Sequence, residues 1–297
     1  MDSWQVGSVK VTRVEEQVGI GGFPPEQFLK GLRRGVFEQL LPRMPNHYSR
    51  EHDRLISSMH SWVIRSGGKV ILVDACCGNH KERPWMPRFH QLDTPFMANL
   101  AAAGVKPEDV DIVLCTHLHA DHVGWNTRLE NGRWVPTFPN ARYLFSDLDD
   151  ARWNPQRMTG MDPNRAAVYE DSVLPVVRAG QAQVLEDRVH ALDALLSIEP
   201  SPGHTPGHVV LKLVDDGAGA LFCGDVLHHA VQVYQPEWNS AFCENPQEAI
   251  ETRKKVLGWC ADEQALLFPT HFAAPYVASI HREGAGFGLE FVPATLR

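Results

Sequence analysis

The chain is expected to fold as a layered α/β domain that gathers several strand ends at one edge. Three features of the sequence lead there. Four short apolar runs each lead into a histidine or aspartate: Ile112-Val113-Leu114-Cys115 enters Thr116-His117-Leu118-His119-Ala120-Asp121-His122, Ala194-Leu195-Leu196-Ser197-Ile198 precedes His204, Ala220-Leu221-Phe222-Cys223-Gly224 ends at Asp225, and Ala265-Leu266-Leu267-Phe268-Pro269-Thr270 ends at His271. Runs of that length bounded by turn residues read as buried strands. Helix signals stand among them: Thr94-Pro95-Phe96 starts a helix that Gly104 can end, and Asn245-Pro246-Gln247-Glu248 starts another that continues at helical spacing from Ala249 to Cys260. Finally, the ligand-type residues spread from 117 to 271, so a single site needs that whole span folded together.

Taken in order, Val9, Val11 and Val14 give residues 7–16 the alternation of an opening strand. Residues 20–55 hold Gly21-Gly22-Phe23-Pro24-Pro25, a helix reaching Leu32, and a loop around Pro42-Arg43-Met44-Pro45. His60–Arg65 and Val70–Val73 flank Ser66-Gly67-Gly68-Lys69 and read as a hairpin. Residues 78–93 form a loop carrying Trp85, Met86, Phe89 and His90. We read 1–297 as one domain, with 1–58 an N-terminal extension contributing to a pocket or to a homodimer contact.

Composition bounds the function. Apolar residues at 43% and charged residues at 22% suit a globular protein with a sizeable core. Formal net charge is −8 and no basic run appears, which removes electrostatic support for nucleic-acid binding. No apolar run approaches bilayer length, and the first residues lack the basic-then-apolar pattern of a secretory signal. Six cysteines without regular spacing fit a reducing cytosol, so a cytoplasmic protein is expected, with Cys76-Cys77 as packing residues.

The chemistry starts from His117-x-His119-x-Asp121-His122. Imidazole nitrogen and carboxylate oxygen are ligands that zinc and similar divalent metals prefer. One histidine at a strand end is usually a polar loop residue. Here the strand-then-ligand arrangement recurs at His204, Asp225 and His271, which makes five histidines and two aspartates, enough for two metals. No Gly-x-Ser-x-Gly nucleophile motif is present.

This ordered set, with 82, 21 and 46 residues between successive blocks, resembles that of the metallo-β-lactamase-fold hydrolases from about Met59 to about His281. The resemblance implies a four-layer αββα sandwich. It implies that His117, His119 and His204 hold one divalent ion, that Asp121, His122 and His271 hold a second, and that Asp225 bridges them beside a bridging hydroxide. Zinc is the default, although iron, manganese and cobalt take the same ligands. Asp74, ending Val70-Ile71-Leu72-Val73, matches an aspartate that supports the ligands without binding metal. Asp225 departs from the cysteine or serine of true β-lactamases, and His119 from the carboxylate of flavodiiron proteins. Only 26 residues follow His271, fewer than the all-helical C-terminal domain of the glyoxalase II type. What remains is similar to the lactonase and methyl-parathion-hydrolase branch. The implied activity is opening a lactone or cleaving an ester-type bond of a small molecule. A phosphotriesterase is the alternative, with an amide hydrolase or an iron-dependent oxidoreductase behind it. His228 stands where many homoserine lactonases have a tyrosine; it and Asp121 are the candidate proton donors. Trp85, Phe89, Trp125, Tyr234 and Trp238 are the candidate pocket residues.

Overall fold

The structure, a computed structural model, describes residues 2–295. Two sheets face each other. The first has eight strands, ordered Ser3–Val6, Val9–Ile20, Arg54–Ser66, Lys69–Val73, Ile112–Leu114, Arg142–Ser146, Ala182–Leu185, with Tyr48–Ser49 pairing off the main path. The second has seven, ordered His190–Ala191, Leu196–Pro200, Val209–Asp215, Ala218–Phe222, Leu266–Phe268, Ala278–Glu283, Gly286–Phe291.

Alternation along each strand sorts its side chains between two cores. Trp62, Ile64, Ile71, Ile112 and Leu114 of the first sheet meet Ile198, Leu211, Leu213, Phe222 and Phe268 of the second between the sheets. Their neighbours Val63, Leu72 and Val113 turn outward onto Phe96 and Leu100 of helix Phe96–Ala102 and onto Val168 and Tyr169 of helix Pro163–Ser172. From the second sheet, Val210, Leu221 and Leu267 turn outward onto Val256, Leu257 and Cys260 of helix Pro246–Asp262. The layers are therefore helix, sheet, sheet, helix, the expected αββα sandwich. Helix Pro246–Asp262 begins as its sequence specifies, with the Asn245 side chain accepting from the Glu248 N–H and a proline in the first turn.

Strand direction places the site. Lys69–Val73, Ile112–Leu114 and Arg142–Ser146 run parallel, as do Ala218–Phe222 and Leu266–Phe268. Parallel neighbours end at a common edge, so Asp74, the 116–122 segment, Asp225 and His271 emerge close together.

Within the N-terminal extension, the expected opening strand forms: Val9–Ile20 pairs with Arg54–Ser66 along nearly its whole length and belongs to the first sheet. Only the stretch between Ile20 and Arg54 leaves it, apart from the short Tyr48–Ser49 pairing. The helix expected to reach Leu32 ends at Phe28, because Leu29–Lys30 is drawn into a two-strand pairing with Asn239–Ser240. Among the described residues no helix is long and apolar enough to cross a membrane. The six cysteines are free and buried.

Candidate metal centre

His117 and His119 lie just past the strand Ile112–Leu114, and the short helix Ala120–Val123 turns Asp121 and His122 back towards them. Seven side chains then meet in two groups. His117, His119, His204 and Asp225 form one, and Asp121, His122 and His271 the other, with one ligand atom per residue within 4.8 Å of the rest of its group. Asp225 faces both. Its Oδ2 is 3.2 Å from His204 Nε2 and 3.7 Å from His117 Nε2, while its Oδ1 is 2.9 Å from His271 Nε2 and 3.2 Å from His122 Nε2.

A second set of residues orients the first. Asp74, buried at a φ of +58°, accepts hydrogen bonds from the Thr116 N–H (2.8 Å), the Thr116 hydroxyl, His122 Nδ1 (2.9 Å) and the Thr270 hydroxyl (3.2 Å). One carboxylate therefore ties the 116–122 segment to the 270–271 segment. Asp149 does the same for the other pair of loops, accepting from the Leu118 N–H (3.1 Å), the Thr205 hydroxyl (3.1 Å) and the Gly207 N–H (2.8 Å). Burial pushes the Asp149 carboxyl up to about 6, against those hydrogen bonds. His208 accepts the Asp225 N–H at 3.0 Å on Nε2 and meets the Ser201 hydroxyl through Nδ1. Glu16 accepts from the Cys77 N–H, the Gly78 N–H and the Trp125 indole. It thus fixes the loop that lies against Gly124, just past the second ligand group, where an added Cβ would come 1.8 Å from the Cys77 carbonyl oxygen.

The donor set fits divalent cations. His271 Nδ1 donates to the Ser58 carbonyl and His122 Nδ1 to Asp74, acceptors that fix both tautomers. Both Nε2 atoms then carry lone pairs, yet they stand 3.3 Å apart. On the other side His204 Nε2 is 3.1 Å from His117 Nε2 and 2.9 Å from His119 Nδ1. The two acceptors on His122 and His271, which face each other, call for positive charge between them. Asp225 Oδ1 is buried with no hydrogen-bond donor aligned on it. The cluster thus draws cations, and imidazole with carboxylate is the chemistry of zinc and its neighbours.

These residues floor a cavity of about 800 Å³. His119, Asp121, Asp225, His228 and His271 open onto it, and Phe23, Phe28, Trp85, Met86, Phe89 and Phe242 supply much of its wall. Of the candidate pocket residues, Trp85 and Phe89 line this cavity. Trp125, Tyr234 and Trp238 do not line the cavity. The Trp125 ring stacks on Phe96 in the outer core, because the chain turns again at Gly124–Asn126 and carries it away from His122. Trp238 packs in the core of the second sheet, and the Tyr234 ring lies 4.4 Å from the Arg43 guanidinium. His228 Nε2 is 3.2 Å from Asp225 Oδ2, and its ring meets Phe28 edge-on. Burial pushes His228 down to about 4, so its imidazole is neutral. The sequence reading missed Asp149, Glu16, His208, Phe28 and Phe242.

Residues 58–271 match the model of the metallo-beta-lactamase superfamily. The chain belongs to that superfamily. Among curated relatives, the hydroxyacylglutathione hydrolase of Synechococcus sp. is 32% identical over 139 residues, which cover 45% of this chain and 41% of that protein. The one from Anaeromyxobacter dehalogenans is 30% identical over 172 residues, 58% of this chain and 47% of that protein. The matches thus span under half the length of these relatives. Among solved structures, the hydrolase AbOPH of the beta lactamase superfamily superposes with a TM-score of 0.81 at 22% identity, covering 100% of this chain and 98% of that one. The dizinc quorum-quenching lactonase AidC gives 0.77 at 18% identity, covering 99% and 97%. At these identities the likeness is one of fold.

Proposed function

We propose that this superfamily member is a dinuclear metal-dependent hydrolase that opens a lactone or cleaves an ester-type bond of a small molecule. The observation that carries the reading is the pair of converging ligand groups, shared by Asp225, at the floor of a largely apolar cavity. His117, His119 and His204 would hold one ion and Asp121, His122 and His271 the other, with Asp225 on both. Zinc is the first choice, as in dizinc AidC. Divalent cations held there supply an activated water near neutral pH and polarise a carbonyl oxygen. The chain does the rest. Asp74, Asp149 and His208 keep the ligands in orientation, and the aromatic wall excludes water and positions the substrate. Neutral His228 gives an N–H hydrogen bond to a substrate oxygen or to the leaving oxygen, with Asp121 as the candidate for proton delivery. The relatives that are hydroxyacylglutathione hydrolases make a thioester the second bond to consider.

The test is a hydrolysis screen of zinc- or manganese-loaded protein. Acyl homoserine lactones and aromatic lactones are set against aryl esters, an acyl thioester and an aryl phosphotriester. The reading expects lactone or ester turnover that a chelator abolishes and metal restores, with close to two ions per chain by elemental analysis. A ratio fixed at one under metal-replete conditions would overturn the dinuclear site. Turnover confined to the phosphotriester would overturn the choice of bond.

A further inference from the structure

We propose that Arg88 is an anion-recognition residue of the cavity, and that the molecule bound there carries a carboxylate on a compact apolar body. That this molecule is a substrate rests on the hydrolase reading; the anion recognition does not. Arg88 lines the cavity beside Ser57, Met59, Trp85, Phe89 and Asp121. Its Nη1 donates to the Ser57 hydroxyl at 2.7 Å and its Nη2 to the Ser57 carbonyl at 2.9 Å. A guanidinium has five N–H donors, and those two bonds are its side chain's protein hydrogen bonds among the described residues. It makes no ion pair there.

Other arginines show how unusual this is. Arg165 also lines the cavity but pairs with Glu244 at 3.2 Å. Arg83 grips Asp171 through both Nη atoms at 2.7 Å. Arg253 has no carboxylate partner, but it is engaged through Nε, Nη1 and Nη2 by two carbonyls and Asn239, and it does not line the cavity. Arg88 alone of these four combines an unpaired charge with an opening onto the cavity.

The carboxylates whose fields reach it are Asp121 and Glu16. Glu16 is committed to the Cys77 and Gly78 N–H groups and the Trp125 indole. Asp121 belongs to the ligand cluster. A partly buried cation without an ion-pair partner carries a desolvation cost, and a bound anion relieves it. The guanidinium fork suits a planar carboxylate. The aromatic and methionine side chains around it set the rest of the ligand as apolar.

Calorimetric titration of the metal-loaded protein with 4-methylbenzoate and with its neutral isostere 4-methylbenzamide tests this. Wild type should prefer the acid on the order of 10–100-fold. Arg88→Met should bring the two within a few-fold of each other. Arg88→Lys should fall between, because an ammonium keeps the charge and loses the fork. Absence of a preference in wild type would overturn the proposal. So would a preference that survives in Arg88→Met, since the metals themselves would then be holding the acid. If Arg88→Met does not fold, an Arg88→Lys protein with an undiminished preference would overturn recognition by the fork. In parallel, the kcat/KM ratio of 5-carboxyphthalide to 5-methylphthalide should drop in Arg88→Met by a similar factor. If neither phthalide opens, the lactonase reading fails on these substrates while the calorimetry still decides Arg88.

Discussion

The floor of the cavity and its wall are built on different principles. Each floor loop is held by side chains from another element. Asp74 ties the 116–122 and 270–271 segments, Asp149 ties Leu118 to Thr205 and Gly207, and His208 holds the Asp225 backbone. The wall comes largely from stretches outside both sheets, carrying Phe23, Phe28, Trp85 and Phe242. Phe23, Trp85 and Phe242 remain 37–40% exposed. A floor knitted this way cannot shift one ligand without disturbing several, whereas a wall on excursions can change shape beneath an unchanged ligand set. Reaction class then resides in the sheet edge and substrate choice in the loops.

The sharpest test of that division is the residue both ligand groups share. Asp225→Ala should lose nearly all turnover and most of the second ion, with the sandwich intact by circular dichroism. Elemental analysis and a substrate assay check it. Two ions and a wild-type rate in this variant would show that the floor is not organised around Asp225.

His228 stands where floor and wall meet, against both Asp225 and Phe28. His228→Ala should keep both ions and lower kcat by about 100-fold for poor leaving groups and much less for good ones, the range expected of one hydrogen-bond donor to a developing oxyanion. An equal loss across leaving groups would remove its role at the leaving oxygen. Loss of metal would make His228 a floor residue outright.

Legibility in the sequence follows the same division. The floor was readable because strand ends carry it: an apolar run followed by His or Asp recurs four times, and parallel strands deliver those ends to one edge. The supports were harder to see. Asp149 lies in the acidic first turn of helix Asp147–Trp153, which reads as a solvated start. Glu16 falls at a register shift between Glu15 and Gln17, so strand alternation does not announce its inward turn. For the wall, nearness in sequence misled. Trp125 is three residues from His122, yet it stacks on Phe96 in the outer core. Phe28 and Phe242 come from segments with no period to read, and the fold brings their rings within 6.0 Å.

Asp74→Asn probes the supports without touching a ligand. It keeps the side chain's size and removes the charge that His122 Nδ1, Thr116 and Thr270 address. Changes of this kind cost roughly 10–100-fold in metal affinity or activity. Zinc titration against a competing chelator should show that loss mainly at the ion held by His122, with kcat recovering at saturating metal. A loss spread equally over both ions would mean that Asp74 supports the whole floor and not one side of it.

The smallest expected effect belongs to the wall, and it bears most directly on the division. Trp85 lines the cavity but is 37% exposed, with its ring centre 5.8 Å from the Arg83 guanidinium carbon. Truncating it removes apolar contact with substrate and leaves every floor hydrogen bond in place. Trp85→Ala should therefore raise KM a few-fold for bulky acyl or aryl substrates, in line with roughly 0.5–1 kcal/mol for the loss of part of a ligand's apolar burial. It should leave kcat within about two-fold, because the transition-state contacts belong to the floor. The ion count should stay at the wild-type value, and thermal stability should move little, since substitutions at partly exposed positions mostly stay near 0.5 kcal/mol. The informative comparison is between a small and a bulky substrate on the same protein preparation. If kcat falls for both and an ion is lost, the loop carrying Trp85 is structurally coupled to the ligands, and wall and floor are one unit.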